Sequence, residues 1–508
     1  MAKQIAISEN ARNKALKNED AKGLDDTSSI VYATKRMIIK AADARKNAGS
    51  SHKDGRGGDI DDGGDDEDDD GGVLSELKKD NARMMENLAL EGLVFLSLIG
   101  EAKRQLLFPS DKAKNQAEFI EALMNLCSSK TNRAARFGGV QVLASLMRSS
   151  KDRERDYNKE LAKLRQMASK GLGPDQSAQL AKAAGPPALA KRAANYLVKK
   201  GVISVLVRTA SAYKHDSNGN GDEGEEDDLS MKEGKTQDAT TSSRMKARRK
   251  SNTGMNEKMV EAMAFCFKKI AQDEANRGLL VQQKGLRLLS ELYNLAADIM
   301  DKHGGPDSKK GMWREDCAVA LARVAITTNP ALYPTGSMYS MVRPLIWLFN
   351  DASHELHQFE AGLGLTNIAS TDTQVRDYLV MNGAWSACIN LLASENQQIQ
   401  RVGIECMANL VVCEKSFERL KKSEQDIKLF LLFAKSDDLK CQMAASGGLA
   451  MMSQDPDIAK EVVRLGGKKV LEEIKANAST AAASSPDPSH QAVLARVNVA
   501  LQYIQECA

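Results

Sequence analysis

Apolar residues recur along most of the chain three and four positions apart. Leu, Ile, Val, Met and Ala follow an i, i+3, i+4, i+7 pattern through most of residues 73 to 475. This pattern predicts amphipathic helices that each bury one apolar stripe. Short turns containing Gly or Pro separate the helices, so the sequence predicts an all-α protein and raises the question of internal repeats.

Five of the predicted helices share the same phase of small and apolar residues. Their sequences are VEAMAFCFKKIAQ, CAVALARVAIT, AGLGLTNIAS, GIECMANLVV and ASGGLAMMS. The equivalent position falls on Lys269, Arg323, Asn367, Asn409 and Met451, in steps of 54, 44, 42 and 42 residues. Armadillo and HEAT units repeat every ~40 to 47 residues, and a loop at 301–311 accounts for the longer first step.

These repeats predict an armadillo/HEAT-type helical repeat solenoid, a right-handed superhelix with a concave groove. Each unit alone exposes an apolar face, so stacking on its neighbours is what stabilises it. Turns such as VQQKGLRLL and VMNGAWSAC precede apolar helices. We expect Gly285 and Gly383 to adopt the positive φ that a tight turn requires, because glycine has no Cβ to oppose it.

Composition divides the chain into five predicted regions. Nine of the twelve residues from Asp59 to Asp70 are acidic, and such a run is typical of disorder. The predicted regions are a largely disordered acidic segment at 1–72 with one helix at Ser29–Asn47, first armadillo-like repeats at 73–213, a disordered charged insertion at 214–254, further armadillo repeats at 255–475, and a loop with a C-terminal capping helix at 476–508.

Charge and cysteine content narrow the class of protein. The net charge is only +3, which favours neither nucleic acid nor a membrane surface as partner. Aromatic residues make up 5% of the chain, a low share that suits helix packing better than sheet cores. Eight cysteines without a C-x-x-C pair indicate reduced thiols, and no signal peptide or long apolar stretch is evident. We therefore expect a soluble, cytoplasmic protein.

Eight stretches, in order along residues 75 to 460, resemble helices of the UCS domain of myosin chaperones. They are NLALEGLVFLSLIGEAKRQLL, YLVKKGVISVLVRTAS, ANRGLLVQQKGLRLL, ALARVAITTNPALYP, MVRPLIWLF, FEAGLGLTNIAS, RVGIECMANLVV and AASGGLAMMSQD. The resemblance implies an armadillo protein that binds the myosin motor domain and supports its folding or its assembly with actin. On this resemblance, residues 255–475 are UCS-type repeats.

The chain differs from animal UCS proteins in lacking the tetratricopeptide pattern of roughly 34 residues. In the family that domain binds a heat-shock chaperone, so the resemblance implies at most an indirect link to such a chaperone. Fungal members also lack the domain, and the myosin interpretation does not depend on it.

No catalytic, cofactor or metal motif is evident, and we expect no enzyme activity, no cofactor and no metal. His354 and His357 stand at i and i+3, but the H-E-x-x-H pattern and a third ligand are absent, so a solvated helix face is the expectation. The run from Asp216 resembles a calcium loop without its apolar position and is expected to be linker. RMKARRK at 244–250 is an import signal, a contact for an acidic partner or, the blander interpretation, a solvated linker.

The candidate partner-binding residues are Lys269, Arg323, Asn367 and Asn409. Each is polar within an otherwise apolar or small-residue helix, and their common phase suggests one surface in the groove. Asn is a poor helix former, so its amide is expected to have a role. Two roles stay open: bonding the backbone of an extended partner segment, or bonding the neighbouring repeat and holding the stack.

Two alternative functions compete with the myosin chaperone. The first is a transport receptor of the importin-alpha type, which holds basic peptides with a W-x-x-x-N ladder. Here Leu363 and Glu405 stand four residues before Asn367 and Asn409, so the ladder is absent. The second alternative is a cytoskeletal armadillo scaffold without chaperone activity.

Overall fold

A computed structural model describes most of the chain. The described residues are 30–50, 70–108, 114–129, 132–153, 185–218, 255–303, 310–334, 336–351, 354–484 and 487–507. In these ranges the protein is helical, without a β-strand, and the all-α armadillo prediction is confirmed.

Twenty-two α-helices lie in the described ranges. In the first part they are α1 (Ile30–Ser50), α2 (Asp70–Leu96), α3 (Gly100–Leu107), α4 (Lys114–Cys127), α5 (Arg133–Leu146), α6 (Pro187–Lys199), α7 (Val202–Asn218), α8 (Glu257–Ala271), α9 (Glu274–Gln282), α10 (Gly285–His303) and α11 (Lys310–Thr327). A 3₁₀ turn, Pro330–Leu332, follows. The rest are α12 (Ser337–Asp351), α13 (Glu355–Ala369), α14 (Thr373–Met381), α15 (Ala384–Leu392), α16 (Gln397–Leu410), α17 (Glu414–Leu420), α18 (Glu424–Ala434), α19 (Leu439–Met452), α20 (Pro456–Arg464), α21 (Gly467–Ser484) and α22 (Pro488–Cys507).

Contacts divide the chain into two compact units. The first comprises Met1–Asp273 and Leu295–Trp313, and the second comprises Glu274–Asn294 and Arg314–Ala508. Among the helices of the described part, none is long and apolar enough to cross a bilayer.

The second unit repeats a set of three helices. A short helix, a second helix and a third helix recur as α14–α15–α16, α17–α18–α19 and α20–α21–α22. Each third helix packs on the next, in the order α13, α16, α19 and α22. Side chains of Asp372, Ser423 and Asp438 accept hydrogen bonds from backbone N–H groups in the first turn of the helix that follows each, which fixes where those helices begin. The repeat is therefore defined by local capping as well as by the apolar pattern.

Glycines in the third helices let neighbouring helices approach closely. A Cβ on Gly362 would lie 2.0 Å from Cγ1 of Val402, and one on Gly448 would lie 2.3 Å from Cε1 of Phe430. Real side chains do not tolerate such distances, so these two positions require glycine for packing. The small residues in the repeat pattern thus reflect helix contact.

The turn between the first and second helices contains a positive φ in several repeats. Gly201, Gly383 and Gly466 take φ values of 87°, 93° and 80° at this position. Gly383 behaves as predicted, whereas the expectation for Gly285 is wrong: the residue with positive φ is Lys284, at 61°. Gly285 serves a different need, because its Cβ would lie 2.9 Å from the carbonyl oxygen of Leu280.

Several boundary predictions can be compared with the helices. The helix predicted at Ser29–Asn47 corresponds to α1. The loop predicted from 476 is wrong for its first part, because α21 continues to Ser484 through an alanine-rich segment of high helix propensity. Much of the predicted disorder, at 1–29, 51–69 and 219–254, and the whole of the calcium-like loop beyond Asn218 lie outside the described residues. The five-region division itself stays a prediction.

Candidate functional site

A groove on the second unit follows its third helices. Its lining comes mainly from α13, α16, α19 and α22, and its volume is about 720 Å³. Small or aliphatic residues make up most of this surface. They are Ala369, Ala408, Val412, Met443, Ala444, Gly447, Ala450, Met451, Ala495 and Val499. Val499 is 42% exposed, so the groove presents apolar surface that nothing in the described chain covers. Such a surface suits an extended partner segment.

Three cations also line this groove, namely Arg376, Lys440 and Arg496. Nε of Arg376 donates to the carbonyl oxygen of Ala369 at 2.7 Å, and Nη1 of Arg496 donates to that of Met443 at 2.6 Å. Lys440 is exposed. In the described ranges none of the three has a carboxylate oxygen within 4.0 Å, so their charges are not cancelled.

Glu405 is the carboxylate that lines the same groove. Its nearest cation is Arg401 of the same helix, with Nε 3.8 Å from Oε1. Burial raises the pKa of Glu405, while the charges of Arg401 and Lys440 oppose that rise. The groove therefore combines three cations with a single carboxylate whose charged form is disfavoured.

Asn367 holds the end of the preceding third helix. Its Nδ2 donates to the carbonyl oxygens of Ala325 at 3.0 Å and Ile326 at 2.9 Å. Both carbonyls lie in the last turn of α11, where no intrahelical N–H is available to them. The Asn367 amide therefore acts as a cap supplied by the next repeat.

Asn409 occupies the equivalent place one repeat later. Its Nδ2 donates to the carbonyl oxygen of Thr366 at 3.1 Å, and its side chain also lines the groove. Thr366 already accepts a hydrogen bond from the backbone N–H of Ser370. No bond to Oδ1 of Asn409 is present in the described part of the chain, so this amide contacts the stack through its nitrogen and leaves its oxygen for another donor.

Lys269 and Arg323, the other two predicted site residues, are engaged in ion pairs. Nζ of Lys269 lies 2.8 Å from Oδ2 of Asp152, and Nε of Arg323 lies 3.0 Å from Oε1 of Glu360. Burial works against ionisation of Asp152, yet the charge and hydrogen bond of Lys269 lower its pKa. Both cations are largely buried and neutralised within their own units, and neither lines the groove described above. Partner binding by the four predicted residues stays a prediction.

Other candidate chemistry is absent from the described residues. His357 is buried rather than on a solvated face, and its Nδ1 lies 2.7 Å from Oε1 of Glu315. The seven cysteines whose side chains are described are free and buried, and burial raises the pKa of Cys266 to about 12, which keeps that thiol protonated. No cluster of three metal-ligating side chains occurs in the described ranges.

Sequence reasoning missed Arg376, Lys440 and Arg496. Arg376 lies on the short first helix α14, and Lys440 lies in the first turn of the third helix α19. Arg496 lies on α22, which is outside the five aligned repeat helices. One signal was available: extending the repeat by a further 42 residues from Met451 reaches α22, and with it Ala495 and Arg496.

No protein-family model matches the chain. Protein unc-45 homolog B of Danio rerio is 30% identical over 204 residues, covering 40% of this chain and 20% of that protein. The chain thus matches only about a fifth of the length of this curated relative.

Two solved structures share the fold. One, described as showing features of the UNC-45 chaperone critical for binding and folding muscle myosin, has a TM-score of 0.55 at 15% identity and covers 100% of this chain and 45% of that one. The crystal structure of She4p has a TM-score of 0.54 at 16% identity and covers 99% of this chain and 57% of that one. The resemblance to UCS proteins predicted from the sequence is confirmed.

Proposed function

We propose that this chain is a cytoplasmic myosin chaperone of the UCS type, which holds a segment of a myosin motor domain in the groove of its second unit. The observation that carries the proposal is the 30% identity to unc-45 homolog B over 204 residues. The fold shared with an UNC-45 chaperone that binds and folds muscle myosin supports it. The uncovered apolar groove supplies a surface of the required kind.

In this mechanism the protein acts by binding alone. A partly folded motor domain exposes apolar segments. Binding such a segment in the groove lined by the third helices prevents it from aggregating with other chains. The apolar side chains that line the groove, here called its floor, contribute the binding free energy, while the rim cations Arg376, Lys440 and Arg496 set orientation and partner choice. Release requires only that the motor domain bury the segment in its own core.

The test compares the full chain with a variant whose groove is blocked. Ala495 is exposed and lines the groove, so Ala495→Trp fills it without disturbing a core position. Ala476→Trp is the matched control, because Ala476 is exposed on α21 and does not line the groove. Purified myosin motor domain from the same cell is heated with each protein, and light scattering records aggregation.

We expect the wild type and Ala476→Trp to suppress aggregation without ATP, and Ala495→Trp to lose most of this effect. If no myosin motor from the cell binds the wild type, folded or heat-stressed, the myosin proposal is wrong and a scaffold role remains. Equal protection by Ala495→Trp would instead locate myosin binding outside the groove.

A receptor for basic peptides fits the groove less well. The W-x-x-x-N ladder is absent, and the groove itself carries Arg376, Lys440 and Arg496 against Glu405 alone. A basic peptide would meet like charges, each of which costs affinity.

A further inference from the structure

The two groove arginines, Arg376 and Arg496, differ from Arg323 of α11 in what holds them. Arg323 is held by a carboxylate, Glu360, at 3.0 Å. Arg376 and Arg496 are held by backbone carbonyl oxygens of Ala369 and Met443. A carbonyl orients a guanidinium group but carries no net charge, so the positive charge stays available to a ligand.

Each of these arginines also retains donors. A guanidinium group has five N–H donors, and the side-chain hydrogen bonds of Arg376 and Arg496 within the described part of the chain use one donor each. Carboxylates pair with such groups through two parallel hydrogen bonds. The exposed Lys440 adds a third positive charge on the same groove.

The length of the groove defines how much chain it takes. Four third helices line it, and packed helices lie about 8 to 10 Å apart, which gives a length of roughly 24 to 30 Å. An extended chain rises about 3.3 Å per residue, so about eight or nine residues span the groove. Successive side chains of an extended segment point in opposite directions, so one set faces the apolar floor while the other faces the rim.

Asn409 offers a hydrogen-bond acceptor to the backbone of such a segment. Oδ1 of Asn409 has no hydrogen-bond donor in the described part of the chain, while Nδ2 of the same amide fixes its position against Thr366. An oxygen held in this way is ready to accept a backbone N–H from an extended segment. The floor, the rim and this acceptor together specify one class of ligand.

From this arrangement we infer that the groove selects an extended acidic segment in which aliphatic side chains alternate with carboxylates. The aliphatic side chains pack against Met443, Met451 and Val499, and the carboxylates pair with Arg376, Lys440 and Arg496. This inference rests on the proposed function, since it names the kind of sequence that the same groove takes from its partner.

The direct test uses three fluorescein-labelled peptides of about nine residues, the length that spans the groove. They alternate Leu with Glu, with Gln or with Lys, and fluorescence anisotropy measures their binding to the full chain. We expect the Glu peptide to bind tightest and the Lys peptide weakest. The preference should shrink as salt is raised, because exposed charges are screened.

Two substitutions of opposite sign assign the preference to the groove. Lys440→Gln removes an exposed cation and should weaken binding of the Glu peptide about two- to fivefold, whereas Glu405→Gln removes the opposing carboxylate and should tighten it by a similar factor. Lys468→Gln is the control, because Lys468 is exposed and does not line the groove. Among the described residues, the side chains of Lys440 and Glu405 make no hydrogen bond or ion pair to a neighbouring helix. Both variants should therefore keep the melting temperature of the wild type.

The inference is overturned if the three peptides bind equally, if the Lys peptide binds tightest, or if the two variants leave the Glu peptide unaffected. Binding of the motor domain that ignores both substitutions would overturn the inference while the proposed function stands. Binding of the Glu peptide by a chain that binds no myosin motor would support the inference and overturn the proposed function.

Discussion

The two asparagines of the repeat show how one residue type serves two roles at the same phase. Asn367 satisfies two carbonyls in the last turn of α11 that have no partner in their own helix. Asn409 donates to one carbonyl that already has a backbone partner, and it lines the groove as well. Both asparagines therefore hydrogen-bond the neighbouring repeat, which is one of the two roles that the sequence left open. Of the two, only Asn409 also lines the groove.

We predict that Asn367→Ala destabilises the protein more than Asn409→Ala does. Asn367→Ala leaves two partly buried carbonyls without this partner, at a cost of about 1 to 3 kcal/mol, whereas Asn409→Ala loses one shared bond worth about 0.5 to 1.5 kcal/mol. Urea unfolding followed by circular dichroism measures both. Asn390→Ala is the control, since Asn390 is exposed and, among the described residues, its amide makes only one contact, at 3.5 Å to Oδ1 of Asn350. A larger effect for Asn409→Ala would contradict the capping role of Asn367.

Lys103 is a fully buried lysine in the first unit. Its Nζ donates to the carbonyl oxygen of Arg148, and burial together with the nearby Arg153 lowers its pKa to about 7, although Asp152 acts in the opposite direction. Its ordinary pKa of 10.5 applies to the unfolded chain. Above pH 7 the unfolded state therefore binds a proton that the folded state does not.

We predict that this lysine makes the protein more stable as pH rises from 7 to 8.5. The unfolded state binds more protons in this range, so the free energy of unfolding should rise, by about 1 to 2 kcal/mol. Lys103→Met should remove that rise, while Lys199→Met, at an exposed position, should keep it. Urea unfolding at both pH values gives the comparison. Parallel pH profiles of wild type and Lys103→Met would refute the prediction.

Gly447 and Gly448, adjacent on α19, differ in how much space a side chain would have at each position. Gly448 of α19 faces Phe430 of α18, and a Cβ there would lie 2.3 Å from Cε1. Gly447 faces Arg496, and its Cβ would lie 3.4 Å from Nη1, an ordinary contact. The same helix thus contains one glycine required for packing and one that only weakens the helix.

We predict opposite effects of alanine at these two positions. Gly448→Ala should destabilise the protein by about 1 to 3 kcal/mol, because Phe430 or the helix must move. Gly447→Ala should stabilise it by up to about 1 kcal/mol through helix propensity. Thermal unfolding of the two variants side by side provides the measurement, and each serves as the control for the other. Equal losses in both would mean that α18 and α19 pack differently.

At this scale the sequence predicted the elements better than their contacts. The common phase of Arg323, Asn367 and Asn409 correctly places each on a third helix, because amphipathic periodicity is local information. The partner of Lys269, by contrast, is 117 residues away in sequence, and no spacing rule reaches Asp152. A turn shows the same limit: the sequence led us to expect the positive φ at Gly285, whereas the adjacent Lys284 adopts it. The groove itself could be expected, but the cations that line it depend on tertiary packing.

Across the whole molecule, the repeats stabilise one another through contacts between sequence neighbours. Helix α22 packs on α19 and on α21, and it buries Val493, Val497, Ala500, Leu501 and Ile504. In an array of this kind the loss of one layer exposes the apolar face of the next.

We predict that a chain ending at Ser484 loses much of the stability of its second unit. Removing α22 exposes apolar faces of α19 and α21, so the melting temperature should fall and the protein should aggregate on concentration. A chain ending at Ile504 is the control, because it keeps all five of these buried residues of α22 and removes residues 505–508, of which Gln505 and Glu506 are exposed. Calorimetry and light scattering compare the two. An unchanged melting temperature after removal of α22 would contradict stacking as the source of stability.

The carbonyl-held arginines of the groove have a kinetic consequence. Because no carboxylate of the described residues pairs with Arg376 or Arg496, no ion pair within that part of the chain has to open before an acidic ligand docks. Uncancelled charge on a rim accelerates diffusional encounter, while apolar contacts govern dissociation. We therefore expect the cations to set how fast a partner is captured and the floor to set how long it stays. A chaperone that works in this way would compete with aggregation through its association rate.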